Sequence, residues 1–306
     1  MSEPARLTVG IASRERPESL ARCIKSLATI DDVVARVIVV DDGSALPLEP
    51  AVRAGLTAAQ QRKLVFVRHV SSGAMAAARN EIVREAGTPW VLILDDDAVV
   101  VSGAAVRQAM RTIAADDRVF AIAFAQADAA GAAWPLGAQP APVEYPCYAA
   151  SFIGFAHLVR RDAFLALGGY REQLIIFGEE RELCLRALDA GWSTVYLPEA
   201  RIAHLADPAG RDMRRYLHLT VRNGCLASIY DDPFPLMCAR VSVRLLSYFA
   251  MRRGWKVDDP GGFLAVLRWL RRDLREALRA RHPVRWSTIR EWRLRVRTAP
   301  PYERPA

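Results

Sequence analysis

The segment Trp90-Val-Leu-Ile-Leu94 is an apolar run of strand character that stops at three carboxylates, Asp95, Asp96 and Asp97, before apolar character resumes at Ala98. A continuous run of this kind reads as a strand buried on both faces, as in a parallel sheet. Three adjacent anions could not follow it into a core without partners, so they belong at the strand's C-terminal end. In an open α/β sheet that is where ligands bind. Alternate residues of an extended segment share a face, so the spacing predicts that Asp95 and Asp97 converge on one cation while Asp96 faces elsewhere. Oxygen ligands suit Mg2+ or Mn2+, ions that travel with phosphates. The competing reading is a solvated acidic turn.

The same grammar occurs earlier, where Val37-Ile-Val-Val40 runs into Asp41-Asp42-Gly43-Ser44. Taken in order, the first hundred residues alternate strands (7–11, 37–40, 64–67, 90–94) with helices (18–28, 51–63, 74–86). Pro17 fits the first helical position and Ser71-Ser72-Gly73 opens the third helix. Right-handed crossovers make this a parallel, doubly wound sheet, with both acidic strand ends and the Gly73 helix start along one edge. Next come a helix at 103–114, a strand at 120–125, a loop at 128–142 and strand character over 148–159. A short helix at 161–167 ends in Gly168-Gly169. A second acidic cluster, Glu179-Glu180-Arg181-Glu182, opens a helix to residue 190, followed by a strand at 193–197 and by His204. From there the pattern is helical: 211–230, 236–251, 262–280 and 285–296. Two regions are expected: an α/β domain over 1–208, in halves 1–101 and 102–208, and a basic helical region over 209–306.

Charge separates these regions. The 306-residue chain carries a net +8, but residues 240–297 hold 16 Lys/Arg against 5 Asp/Glu, which leaves −3 on the remainder. A basic end on a nearly neutral body implies an anionic surface as partner. Arg268, Arg271, Arg272, Arg275 and Arg279 fall at helical spacing opposite Leu264, Leu267, Leu270, Leu274 and Leu278. Such a helix either packs its leucines on the body or docks on an anionic membrane face; the helical end could also form a homodimer. Nucleic acid is not expected, because no aromatic–basic interleaving or known module is present. Five scattered cysteines (Cys23, Cys147, Cys184, Cys225, Cys238) read as buried thiols in a reducing cytosol. Residues 1–6 lack the layout of a signal peptide, and no apolar run reaches membrane-span length. A cytoplasmic protein, peripheral on the inner membrane face, is therefore expected.

Four segments, by their order and spacing, resemble the family 2 glycosyltransferases, which are nucleotide-sugar transferases of the GT-A type, over roughly residues 6–208. They are Val9-Gly-Ile-Ala-Ser-Arg-Glu-Arg-Pro-Glu-Ser-Leu20; Val39-Val-Asp-Asp-Gly-Ser44; Gly73-x5-Arg79-Asn80 with Leu94-Asp-Asp-Asp97; and Gly168-Gly-Tyr170 with Phe177-Gly-Glu-Glu-x-Glu-Leu-x-Leu-Arg186, Gly191-Trp192 and His204. The resemblance implies a Rossmann-like, mostly parallel sheet flanked by helices, with an α-helical C-terminal extension. It implies a metal-dependent, inverting transfer of sugar from a nucleotide diphosphate, UDP- or dTDP-linked, to a hydroxyl of a glycan or lipid-linked acceptor in cell-envelope polysaccharide synthesis. It adds His204 to Asp95 and Asp97 as a metal ligand, and assigns the donor to Ser13, Arg14, Asp42, Gly73, Arg79, Asp95 and Asp96. Asp42 would read the nucleobase imide. Glu180 takes the place of the base, with Glu179 as its neighbour; Glu182 is expected to pair with Arg186 at i,i+4.

Each residue has a plainer reading: a histidine on a half-buried strand, an Asp-Gly turn, a surface arginine, glutamates that favour a helix dipole. The chain also departs from the family. It has Ala12-Ser13-Arg14-Glu15 where Pro-Thr-Tyr-Asn is frequent, Glu-Glu for Glu-Asp, and Arg181 where an apolar residue is usual. Two other activities compete. A nucleotidyltransferase needs a Gly-rich, lysine-bearing phosphate loop that the first turn lacks. A non-catalytic sugar-nucleotide-binding protein would have no use for the second acidic pair.

Overall fold

The computed structural model describes residues 6–206 and 212–304. The N-terminal residues read for a leader, the expected helix start at Arg211 and the expected boundary at 208/209 therefore fall wholly or partly outside the described residues. The first half runs β1 (Leu7–Ser13), α1 (Pro17–Ser26), β2 (Val34–Asp41), α2 (Leu48–Arg53), α3 (Ala58–Lys63), β3 (Leu64–Arg68), α4 (Met75–Glu85), β4 (Trp90–Asp95), β5 (Ala98–Val99) and α5 (Gly103–Ala115). The second half follows with β6 (Val119–Ala127), β7 (Cys147–Ala149), β8 (Ala156–Arg160), α6 (Arg161–Ala166), α7 (Glu179–Asp189) and β9 (Ser193–His204). Four helices close the chain: α8 (Met213–Asp231), α9 (Leu236–Gly254), α10 (Gly262–Arg279) and α11 (Trp286–Thr298).

The strands form one sheet in the order β3-β2-β1-β4-β8-β6-β9-β5, with β7 on β9. The first four are parallel, as the alternating pattern predicts; β8 then runs antiparallel to both β4 and β6. Alternation along β4 puts Leu92 and Leu94 into one core and Val91 and Ile93 into the other, so both faces are covered. Gly10 lets α4 lie close on β1: a Cβ there would stand 2.1 Å from Ile82 Cγ2. The register pairs Ser13 with Asp41 and Ala12 with Asp95, which brings the strand ends together on one edge.

Several local expectations change. The helix expected over 51–63 is two, α2 and α3, because the chain leaves the helix around Gly55 and restarts at Thr57, which shares a capping box with Gln60. The strand expected over 148–159 is β7 and β8 with an irregular passage between them. The strand expected over 193–197 continues to His204, which pairs with Ala98. Cys238 is exposed; the other cysteines are buried.

The helical end is packed on the domain. Leu270 and Ala277 of α10 join Leu226 and Ile229 of α8 and Leu174 of the domain in one cluster; Val266 joins Leu217, Val221 and Tyr248 in another. Ile289 and Trp292 of α11 enter the sheet core. The leucine row of α10 is therefore not one buried face: Leu270 is buried while Leu264, Leu274 and Leu278 are exposed. Among the described residues no helix is long and apolar enough to cross a membrane.

Candidate active site

Strand β4 ends at Asp95 and the chain turns through Asp96 and Asp97. Alternation stops with the strand, and the three carboxylates divide between two arginine partners. Asp95 turns to Arg79, 2.8 Å away. Asp96 and Asp97 share Arg16, at 2.6 and 3.1 Å, and Asp96 also accepts from the Ser13 hydroxyl at 2.7 Å. Burial pushes the Asp96 carboxyl up to about 6, against the pull of Ser13 and Arg16. Ser13 thus reaches Asp96 directly, while Arg14 is exposed. The arginine that reaches the cluster is Arg16. The polar turn 12–16 has no periodicity that would rank one of its arginines above the other.

Arg79 is 3% exposed on the inner face of α4. Its guanidinium bonds Asp95, Glu179 at 3.3 Å and the Gly154 carbonyl at 3.1 Å, and stands 3.6 Å from Glu180. Burial works against its charge, but Asp95, and after it Tyr170, Glu180 and Glu179, outweigh this and hold it protonated. It is not a surface arginine; it joins the strand-end cluster to the second acidic pair.

That pair starts α7 after a strained approach. Ile175 (φ 60°), Phe177 (φ 73°) and Gly178 (φ 91°) all have left-handed backbones. Support comes from α8: Asn223 Nδ2 donates to the carbonyls of Leu174, Ile176 (2.7 Å) and Phe177 (3.0 Å), and Arg222 to that of Gln173 (2.9 Å). Glu179 is fully buried; the Glu180 side chain keeps 19% exposure. Burial raises both carboxyls; Glu180 adds to the rise at Glu179. Gly154 makes room for this: a Cβ there would stand 2.2 Å from Glu180 Oε1 and 2.9 Å from Arg79. As predicted, Glu182 is structural, taken by Arg186 and Arg171.

Asp42 accepts from the Gly73 N–H (2.9 Å) and the Ser72 hydroxyl (2.9 Å), and meets His69 Nδ1 at 3.0 Å. Burial opposes its charge, but the Gly73 bond first, then His69 and Ser72, hold the carboxyl below its usual range. Asp41 closes the turn, accepting from the N–H groups of Ser44 and Leu48. Asp42 and Gly73 are thus brought together, but on each other.

His204 arrives from β9 at the far side. Its ring is stacked between Phe155 (4.7 Å) and Trp134 (5.5 Å). Gln126 donates its amide to Ala138, so its oxygen accepts from His204 Nδ1–H at 2.6 Å. That bond leaves the lone pair on Nε2, 3.6 Å from Asp97 Oδ1. Asp97 Oδ1 is buried and accepts no hydrogen bond among the described residues. A buried carboxylate oxygen without a donor among the described residues, with a histidine ring nitrogen 3.6 Å away, fits a divalent cation. Among the described residues no group of three such side chains is close enough to hold an ion; Asp95 is bonded to Arg79. Arg16, Gln126, Gly154 and Asn223 are the site residues that sequence reasoning missed.

Comparison with known proteins bears on the family and the fold. The Glycosyl transferase family 2 model matches residues 8–164. The pre-mycofactocin glycosyltransferase of Mycobacterium tuberculosis is 31% identical over 65% of this chain, which spans 42% of that relative's length. The N-acetylglucosaminyl-diphospho-decaprenol L-rhamnosyltransferase of the same organism is 40% identical over 65 residues, 21% of each chain. Among solved structures, a Pyrobaculum calidifontis mannosyltransferase in complex with GDP-Man and Mn2+ superposes with a TM-score of 0.58 at 16% identity, covering 94% of this chain and 84% of that one. S. aureus TarS 1–349 gives 0.60 at 15%, covering 87% and 80%. These likenesses establish a GT-A type fold, and with a family match over half its length the chain belongs to glycosyl transferase family 2.

Proposed function

We propose that the chain is a metal-dependent glycosyltransferase that moves a sugar, with inversion, from a nucleotide diphosphate to a hydroxyl of a glycan or lipid-linked acceptor. One observation carries this reading: a single buried guanidinium, Arg79, ties the strand-end Asp95 to the Glu179-Glu180 pair, so the two acidic groups meet at one site. Glu180 is the general base, because its carboxylate is partly open and burial raises its proton affinity. Glu179 holds Arg79 in place. Asp97 and His204 would hold the cation, with Asp95, bonded to Arg79, beside them. Bound there, Mn2+ or Mg2+ would neutralise charge on the departing diphosphate. Ser13, Arg16, Asp42 and Gly73 line the nucleotide side, with Asp42 reading the imide of uracil or thymine. The relatives support the class of acceptor and donor: one is named for a diphospho-decaprenol substrate, and solved neighbours hold GDP-Man or UDP with Mn2+.

The test is a thermal-shift series with UDP, dTDP, GDP and CDP, with and without Mn2+, on the wild type and Glu180→Gln. A rise in Tm for one nucleotide that needs metal is expected in both proteins. Transfer should fall by about 10²–10⁴ in the variant. Pyrophosphate release from a nucleoside triphosphate and a sugar phosphate would move the assignment to nucleotidyl transfer. Metal-dependent binding with transfer unchanged in Glu180→Gln would remove the base.

A further inference from the structure

A cavity of about 450 Å³ opens where α7, α8 and α9 meet. Its wall takes in Phe177 and Gly178, which lead into the Glu179-Glu180 pair, and Arg181, which follows it. Successive helical residues turn by about 100°. Arg181 therefore faces this cavity while Glu180, one place earlier, faces Gly154 and Arg79.

Three arginines line it, Arg181, Arg240 and Arg244. The carboxyls in the wall do not cancel them all. Glu182 belongs to Arg171 and Arg186, and Asp232 to Arg240. Asp231 is buried, and desolvation followed by the charge of Glu182 drives its pKa well up, towards the neutral form. Arg181 lies over the Trp292 ring; neither it nor Arg244 has a carboxylate partner among the described residues. Desolvation, and after it repulsion from Arg244 and Arg240, lowers the pKa of the surface-exposed Arg181 against the pull of Asp232. Two arginines outside any ion pair in one cavity wall, with only Asp232 acting on Arg181 from a distance, match an anion of the phosphate type, which arginine forks bind well.

The second observation is the face of α9 that continues from this cavity. Its 19 residues include no Asp or Glu. Val243, Leu246 and Phe249, at i, i+3 and i+6, are 65%, 68% and 51% exposed. Val243 is at once cavity wall and the first of this bare row. Arg252 and Arg253 stand at its far end. A contiguous apolar row with a basic rim marks an interaction surface, and the absence of acid on it favours an anionic lipid.

We propose that the arginine cavity is a phosphate subsite for the acceptor, and that the acceptor's hydrocarbon chain lies along the bare face of α9. The inference rests on the sugar-transfer reading and deepens it. The acceptor is a lipid phosphate or diphosphate, held beside the turn that presents Glu180.

The test is sedimentation of the full chain with phosphatidylcholine vesicles that carry polyprenyl diphosphate, against vesicles charge-matched with phosphatidylglycerol. The wild type should prefer the polyprenyl diphosphate vesicles. Arg181→Gln with Arg244→Gln should remove that preference, at about fivefold for each arginine lost. Leu246→Asp, on the bare face where folding does not depend on it, should weaken binding to both vesicles. Equal binding of the wild type to both kinds, or an arginine variant that keeps the preference, would overturn the subsite. Inorganic pyrophosphate that raises Tm through these arginines, without vesicle binding, would make the cavity a free-anion site and remove the lipid. The metal-dependent nucleotide shift of the wild type, read in the same samples, reports on the transfer reading alone. If the shift stands and lipid preference fails, only this inference falls.

Discussion

Strands β2 and β4 end in the same sequence pattern, an apolar run followed at once by adjacent carboxylates, and flank β1 on the same sheet edge. The fold treats them oppositely. At the β2 end the carboxylates are served by the protein's own donors: Asp41 by the N–H groups of Ser44 and Leu48, Asp42 by Gly73, Ser72 and His69. At the β4 end three carboxylates face Arg16 and Arg79, one oxygen of Asp97 accepts nothing, and Asp96 has a raised pKa. Arg79 must also answer Glu179 and Glu180. An identical pattern thus gives a self-satisfied turn in one place and an under-neutralised pocket in the other. The difference lies in what the neighbouring segments bring, not in the strand ends themselves.

The sharpest way to break the contrast is to remove the shared cation. Arg79→Met leaves Asp95, Glu179 and Glu180 in a buried site without it. Stripping one partner from a buried charge cluster costs about 3–5 kcal/mol, to be read from urea unfolding. A loss below about 1 kcal/mol would mean that the cluster is better solvated than its burial implies.

Periodicity made the parallel half of the sheet readable, because its strands are apolar runs and helices such as α1 keep one buried stripe (Leu20, Cys23, Ile24). It also placed the edge on which Ser13, Asp42 and Asp95 meet. What lay beyond it was pairing at a distance. Alternation assigned Asp95 and Asp97 to one face, but alternation holds only while the chain is extended, and the strand ends at Asp95. Arg14 and Arg16 are indistinguishable in a turn without periodicity; the packing of α1 decides that Arg16 reaches the carboxylates. Gln126 lies inside a nine-residue buried strand, with nothing local to mark it as the residue that orients His204. Asn223 supports the strained loop from another region, 46 residues away. The leucine row of α10 divides: Leu270 packs on α8 while Leu264, Leu274 and Leu278 stay exposed, because the neighbouring helices cover only part of the stripe.

A paired substitution sharpens the contrast further. Asp41→Ala strips the acceptor from two backbone N–H groups beside a 1%-exposed carboxylate. It should cost about 2–3 kcal/mol, the scale for charge-assisted bonds left unmade. Asp97→Ala removes a buried anion with an unmet oxygen, and without metal it should change stability by less than about 1 kcal/mol. The same variant should lose any manganese-dependent rise in Tm with nucleotide. If Asp97→Ala proved as costly as Asp41→Ala in metal-free buffer, the two strand ends would be equivalent and the contrast would be lost.

The smallest effect concerns pH. His69 meets Asp42 through Nδ1 at 3.0 Å and Glu81 through Nε2 at 2.6 Å, so its charged form donates to both. The bond to Asp42, and then that to Glu81, raises the His69 pKa above 6.5. A histidine raised on folding contributes its stability in full below its unfolded pKa, near 6.5, and loses it as pH climbs through the folded value. His69→Phe should therefore destabilise the protein by about 1 kcal/mol at pH 6, since the pair is partly solvated. The gap between variant and wild type should shrink by pH 9. Chemical unfolding at the two pH values gives the comparison directly. A gap that stays flat, or widens as pH rises, would mean that the folded protein holds a neutral imidazole there. The β2 end would then lack the cation that lets it satisfy itself, and Asp42 would stand closer to the condition of Asp97.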